Sequence, residues 1–359
     1  MWSNTVTQRH RASTRQKTAP RRSGLVVVFS CIGKEYSLPA GVRTKLIFFV
    51  FGAVLSRAVL FALGYRSAMN DDILTWRIGD VTVTSVPESS DPTSPKFMFS
   101  SIDKTGVLDL KRKSPWLEPF VGEKGHLLQK IHCCIIDTGE ERIAVDTCVG
   151  NDKQRGNPLW HEQQGPFLDL LTEAGYAPNS ITHVVCTHLH VDHVGWNTQL
   201  VDGQWVPTFP NAEYVFVAVE FEHWSSTEDL FGDPVFDDSV APIHQAGLAN
   251  LVTADHTIGE SVSFESTPGH TPGHISILIE SSDQRAIITG DMAHSPIQIA
   301  QPDLSSSFDS DPDMARSTRQ EAFARWADGE TLIIGTHFGT PTAGTMRPEG
   351  DGYRLDAAQ

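Results

Sequence analysis

The ten residues Thr187-His188-Leu189-His190-Val191-Asp192-His193-Val194-Gly195-Trp196 constrain this chain more than any others. Three imidazoles and a carboxylate fall within six positions, directly after the apolar stretch 181–187, which has the composition of a strand. A strand that breaks into a turn here aims His188 and His190 toward one position and leaves Asp192 and His193 for a second. Neutral imidazole and carboxylate are the donors that zinc takes in open tetrahedral or five-coordinate sites, and iron or manganese also suits the set. Four residues do not fill two coordination spheres, so the fold has to bring further donors to this run.

Later strand ends offer them. The strand-like stretch 261–266 leads into Thr267-Pro268-Gly269-His270-Thr271-Pro272-Gly273-His274, where one of the two histidines is expected to be a ligand. Asp291 closes the apolar run 285–290, and His337 closes 331–336. Each pairs a short β-branched stretch with a polar residue at its exit, where open sheets present chemistry.

In this order, an HxHxDH run, a later His, a later Asp and a last His resemble the ligand set of the metallo-β-lactamase superfamily, over about residues 76–353. The resemblance implies a first metal held by His188, His190 and His270, a second held by Asp192, His193 and His337, and Asp291 as the bridge. It also selects His270 as the ligand of the TPGHxPGH pattern and puts His274 behind the ligands, fixing their orientation. The implied fold class is α/β, a metallo-β-lactamase-like αβ/βα sandwich of two mixed β-sheets with helices on the outer faces. Periodicity alone gives only mixed strands and helices. Residues 290–299, 308–312 and the helical stretch 314–326 look most like the methyl parathion hydrolase branch, with acyl-homoserine lactonases nearby. Residues 143–152 also look like this group, in which Asp146 supports the metal loops from a strand end. True β-lactamases fit less well. They normally lack a bridging Asp at the position of Asp291, and several place a cysteine at the second metal, where this chain has none.

The activity implied is that of a dinuclear metallohydrolase acting on a small ester, lactone or organophosphate through a hydroxide that bridges two divalent ions, zinc foremost. A bound metal lowers the pKa of water to about 7, so no nucleophilic side chain is needed. Asp192 and Asp291 enter the catalytic set through the metals. His294, three residues after Asp291, stands where the lactonase neighbours carry a tyrosine. Its expected role is to protonate the leaving group or contact the substrate oxygen, with a plain hydrogen-bonded support as the competing reading. Two alternatives stay open: glyoxalase-II-like thioester hydrolysis, although residues 339–359 lack a basic cluster to grip glutathione, and sulfur dioxygenation at one iron, although seven ligands argue for two metals.

Charge divides the chain at Met69. Residues 1–68 hold eleven Lys or Arg against one Glu, leaving 17 basic and 43 acidic residues of the 28 and 44 in the whole chain, a net of -26 for residues 69–359. The basic part runs into the apolar block 46–64, charged only at Arg57 and nearly long enough to cross a bilayer. Residues 1–68 therefore read as a targeting segment, an anchor, or the product of a start assigned upstream of Met69. The expectation is a cytoplasmic protein if translation begins at Met69 and an exported or membrane-anchored one otherwise, with membrane contact only through 46–64. An acidic catalytic domain repels phosphate backbones, which excludes a nucleic-acid partner and leaves a small-molecule substrate. A homodimer is compatible with the sequence but not required by it.

Residues 69–359 suffice for one α/β domain. Hairpins are expected at 76–86 and at 127–137 with 142–148, and helices at 165–174 and 311–328. Adjacent Cys133 and Cys134 on a strand point to opposite faces, so buried free thiols rather than a bridge are expected there. Trp196 and Phe338, next to ligand loops, are the favoured pocket walls, ahead of the aromatic residues of 95–123, Trp160 and the stretch 231–236.

Overall fold

The computed structural model describes residues 72–229 and 231–358. The boundary at Met69 and the block 46–64 lie outside the described residues. Among the described residues no helix is long and apolar enough to cross a membrane.

The first sheet begins with a hairpin of β1 (Leu74–Ile78) and β2 (Val81–Thr93), turning at Gly79 as the sequence predicts. It continues through β3 (Leu127–Asp137), β4 (Arg142–Val145) and β5 (His183–Val185). The chain then makes a separate two-stranded ribbon, β6 (Thr198–Val201) with β7 (Gln204–Pro207), before β8 (Glu213–Val217) and β9 (Ala249–Val252) complete seven strands in the order β1-β2-β3-β4-β5-β8-β9. The second sheet is also seven-stranded and sequential: β10 (Thr257–Ile258), β11 (Val262–Ser266), β12 (Ile275–Ser281), β13 (Gln284–Ile288), β14 (Leu332–Ile334), β15 (Ala343–Glu349) and β16 (Gly352–Ala357). Both sheets are mixed: β4, β5, β8 and β9 run parallel, as do β13 and β14, and the remaining pairs are antiparallel.

Burial on both faces explains the continuous β-branched runs of the central strands. Val185, Val145, Ile136 and Val215 of the first sheet pack against Ile277, Ile279, Ala286 and Ile288 of the second. Their neighbours Val184, Ala144, Ile135 and Phe216 face outward onto Phe167, Leu170 and Leu171 of helix Phe167–Glu173 and Trp224 of helix Ala218–Trp224. On the far side, Ile287, Ile333 and Met346 receive Ala322, Phe323 and Trp326 of helix Pro312–Trp326, which is capped by Asp311 accepting from Met314 N at 2.9 Å. The result is helix, sheet, sheet, helix, the expected αβ/βα sandwich. Cys133 belongs to the outer cluster and Cys134 to the inter-sheet cluster, and all four described cysteines are buried and free.

Residues 95–123 form a satellite cluster. Helix Lys104–Lys113 and the turn Pro115–Phe120 bury Val107, Leu117 and Phe99 together with Val121, Leu127 and Ile297. Helix Pro95–Met98 at its front borders a cavity.

Candidate metal centre

Loops leaving β4, β5, β11, β13 and β14 converge at one edge of the sandwich. β4 is followed at once by Asp146, a non-glycine residue at φ 56°. In that left-handed conformation its carboxylate accepts Thr187 N at 2.8 Å and lies 3.0 Å from His193 Nδ1. One side chain thus fixes both ends of the histidine run, as expected of Asp146. Glu220, on the helix after β8, does the same for two loops at once: it accepts Leu189 N at 3.1 Å, Gly273 N at 2.8 Å and Trp224 Nε1 at 2.7 Å. After β13, Gly290 turns at φ 54°, and a Cβ there would lie 2.6 Å from His274 Nε2, so only glycine lets the chain pass.

The seven predicted donors fall into two clusters, His188, His190, His270 and Asp291 in one, Asp192, His193 and His337 in the other. His190 Nδ1 lies 2.9 Å from both His188 Nε2 and His270 Nε2. Asp291 reaches both clusters, with Oδ2 3.5 Å from His270 Nε2 and 3.4 Å from His193 Nε2, and Oδ1 3.1 Å from His337 Nε2. His337 Nε2 is also 3.5 Å from Asp192 Oδ2. Zinc to nitrogen distances of about 2.0–2.1 Å place the donors of a tetrahedron roughly 3.3 Å apart, so these separations match cation coordination.

Behind three of the donors, the outer ring nitrogen faces an oxygen. His193 Nδ1 faces Asp146, His270 Nδ1 lies 3.0 Å from Asp309 Oδ1, and His337 Nδ1 donates to the Lys130 carbonyl at 3.0 Å. Such partners keep the proton on Nδ1 and leave the Nε2 lone pair facing inward. His274 has no inward lone pair to offer: Nδ1 lies 3.0 Å from the Thr267 carbonyl, and Nε2 accepts the Asp291 N–H. It orients the loop of Asp291.

Electrostatics point the same way. Burial, then mutual crowding, pushes the pKa of His188, His190 and His270 well below the usual imidazole value, which keeps them neutral. For His193 and His337 burial acts downward but is outweighed by Asp291 and the neighbouring Asp146 or Asp192, so these imidazoles are raised, His337 to about 9. The carboxylates of this half of the site call for positive charge. Asp291 Oδ1 and His193 Nε2 are buried with no hydrogen-bond partner, a cost that coordination to a cation removes. The donor set fits two divalent cations.

Above the clusters opens a cavity of about 430 Å³. Its apolar wall is Phe97, Met98, Leu159, Trp160, Phe231 and Phe308. The expectation for Trp196 and Phe338 is corrected here. Trp196 is buried, stacks on Phe167 at 5.7 Å and donates to Glu88 Oε1 at 2.7 Å, while Phe338 is buried against Phe120. Both point into the core because proximity of a backbone to a ligand loop leaves the side chain free to face the other way. His294 does line the cavity, with Nε2 3.2 Å from Asp291 Oδ2. Its backbone is held on both sides, by Gln298 Oε1 accepting from N at 2.7 Å and by Gln129 Nε2 donating to O at 3.1 Å. The carboxylates Glu88, Glu220 and Asp309 were not singled out by sequence. Glu220, an acid inside the apolar stretch Val217-Ala-Val-Glu-Phe221, carried a usable signal.

Residues 130–337 match the family model described as the Metallo-beta-lactamase superfamily. An N-acyl homoserine lactonase of a Bacillus species is 23% identical over 177 residues, which span 46% of this chain and 64% of that protein. Among solved structures, the hydrolase AbOPH of the beta lactamase superfamily superposes with a TM-score of 0.67 at 24% identity, covering 80% of this chain and 98% of the other. AidC, a dizinc quorum-quenching lactonase solved with a product, superposes with a TM-score of 0.64 at 19% identity, covering 80% and 97%. At these identities the two structures establish a shared fold.

Proposed function

Because the chain belongs to the metallo-beta-lactamase superfamily, we propose that it is a dinuclear metal-dependent hydrolase of small, uncharged, largely apolar esters, with lactones foremost and organophosphates next. The observation that carries this reading is the meeting of two buried donor clusters at Asp291 beneath an apolar cavity. His188, His190 and His270 would hold one cation, Asp192, His193 and His337 the other, and Asp291 would serve both, with zinc the ion that best suits imidazole and carboxylate. Bound there, two such ions would lower the pKa of water to about 7 and provide a positive field for the charge developing on the substrate oxygen.

The chain's own residues do the rest. Asp146, Glu220 and His274 hold the donor loops rigid, which keeps the geometry preorganised. The aromatic wall receives the apolar part of the substrate. His294, at the cavity face, is placed to pass a proton to the departing oxygen.

The alternatives are less well supported. Lys130 is the one lysine or arginine among the residues lining the cavity, and its ammonium donates to the Asp72 carbonyl at 3.2 Å, which leaves no lysine or arginine free to grip glutathione. A single iron leaves the cluster of Asp192, His193 and His337 without a role. Lactonase relatives favour the lactone within the ester class. The test is the initial rate of the zinc-loaded chain on an acyl-homoserine lactone, a phosphotriester, an aryl ester, a thioester and a β-lactam, with Asp291→Ala as control. A rate on the lactone or ester well above control is expected. Hydrolysis confined to the thioester, or silence on all five with two ions bound, overturns the reading.

A further inference from the structure

We propose that Asp309 is a positioning residue for His270, and that the segment carrying it makes cation affinity at the first position depend on the aromatic wall of the cavity. The proposal rests on the dinuclear reading above.

Residues 301–311 contain no helix or strand, yet they are fastened at both ends. At one end the buried guanidinium of Arg319 donates to the carbonyls of Pro302 at 2.9 Å and Leu304 at 2.6 Å, and also to that of Met292, next to Asp291, at 3.1 Å. At the other end Ser310 N donates to the His270 carbonyl and Asp311 N to the Gly269 carbonyl, both at 2.9 Å. Between these anchors the segment touches the cavity wall. Ser307 N donates to the Met98 carbonyl at 2.8 Å, and the Phe308 ring meets Phe97 edge-on with centroids 5.1 Å apart.

Asp309 follows Phe308 directly. Its side chain is 1% exposed, with Oδ1 3.0 Å from His270 Nδ1 and Oδ2 accepting Ser306 N at 2.8 Å. A carboxylate accepting from Nδ1 polarises the ring and strengthens Nε2 as a donor, and it fixes the plane of the imidazole. His188 Nδ1 faces a hydroxyl instead, so within the first cluster Asp309 acts on His270 and not on His188. Moving Phe308 moves Asp309 by one peptide unit. Packing at the wall is thereby transmitted to one donor of one cluster, a contiguous link of the kind through which sites couple.

The experiment titrates the metal-free full chain with cobalt(II) against a chelator, following the visible absorption of the bound ion. Wild type is expected to fill two positions in two resolved steps. Asp309→Asn keeps shape and an acceptor oxygen but loses the charge, and is expected to weaken one step by about 10- to 100-fold while leaving the other unchanged. Phe97→Ala, which trims a half-exposed side chain outside both donor clusters, is expected to weaken the same step by at least about fivefold. Equal weakening of both steps, or no change in either variant, overturns the proposal while wild type still binds two ions. A wild-type chain that takes up no cobalt overturns the dinuclear reading itself. Should Asp309→Asn fail to fold, Phe97→Ala still decides the coupling, since its loss is far from the core.

Discussion

His274 Nε2 accepts the backbone N–H of Asp291 at 2.9 Å, so a histidine that lies within the ligand motif spends its lone pair on the loop of another donor. His274→Leu leaves that buried N–H unpaired, which costs about 1–3 kcal/mol. The variant is expected to unfold at lower urea concentration and still to bind two cations per folded chain at saturating zinc. His270→Ala is expected to lose the first ion. Metal analysis of the two variants that gave the opposite pattern would exchange the roles of the two histidines.

His294 lines the cavity beside the donors but belongs to neither cation cluster. Its ring stands parallel to that of His337 with centroids 5.9 Å apart and edge-on to His270 at 4.8 Å, which holds Nε2 toward the reaction volume. His294→Ala is therefore expected to retain cation content and lose about 100-fold in kcat on an alkyl ester or lactone, the usual scale for a positioned proton donor. An aryl ester with a good leaving group, which needs little protonation, should lose much less. Equal rates for wild type and variant on the alkyl substrate would reduce His294 to a support.

The donors were legible in the sequence because each is a polar residue at the exit of a short β-branched run, a pattern that survives without knowing how the strands pair. His188, Asp291 and His337 all follow it. The two-layer order and the outer helices followed from the resemblance, whereas strands as short as β5 and β14, three residues each, carry too little periodicity to be placed alone. Glu88 and Asp309 were not legible, and Glu220 showed only as an acid within an apolar stretch, because their work is to accept backbone or ring N–H groups from segments distant in sequence. Glu88 takes Val149 N at 2.8 Å across some sixty positions. Which aromatic side chains face the cavity was likewise hidden, since a loop's backbone path does not settle the direction of its side chains.

The cavity wall reverses the order in which the sequence ranks two tryptophans. Trp160 lines the cavity, and Trp160→Ala is expected to raise KM for a long-chain ester or lactone while leaving kcat within about twofold, the mark of lost binding shared by ground and transition states. Trp196 is stacked on Phe167 and bonded to Glu88, and Trp196→Ala is expected to cost about 3–5 kcal/mol of stability with no change in chain-length preference of the folded protein. Steady-state kinetics across a chain-length series, together with urea unfolding, distinguishes them. A shift in chain-length preference for Trp196→Ala would return that residue to the wall.

Lys153 and four buried thiols act in opposite senses on stability above neutral pH. The Lys153 ammonium is fully buried, 3.6 Å above the Trp205 ring and 2.6 Å from Thr198 Oγ1, and burial, only partly offset by Asp238, pushes its pKa down to about 7. In the unfolded chain the group stays protonated to about 10.4. Between these values the unfolded state binds more protons, so stability rises with pH, by up to about 1.4 kcal/mol per unit. The thiols of Cys133, Cys134, Cys148 and Cys186 act in the opposite sense. Burial raises all four in the folded chain, whereas unfolded thiols ionise near about 8.5, and above that pH the folded state binds more protons and stability falls. Four groups outweigh one, so the zinc-loaded chain is expected to be most stable near about pH 8.5. Urea midpoints of the reduced protein from pH 7 to 10 test this, and Lys153→Met should remove the rising limb while keeping the fall. A rising limb that persisted in Lys153→Met would mean that Lys153 keeps its proton, held by Asp238 and the Trp205 face, and that another buried group titrates in its place.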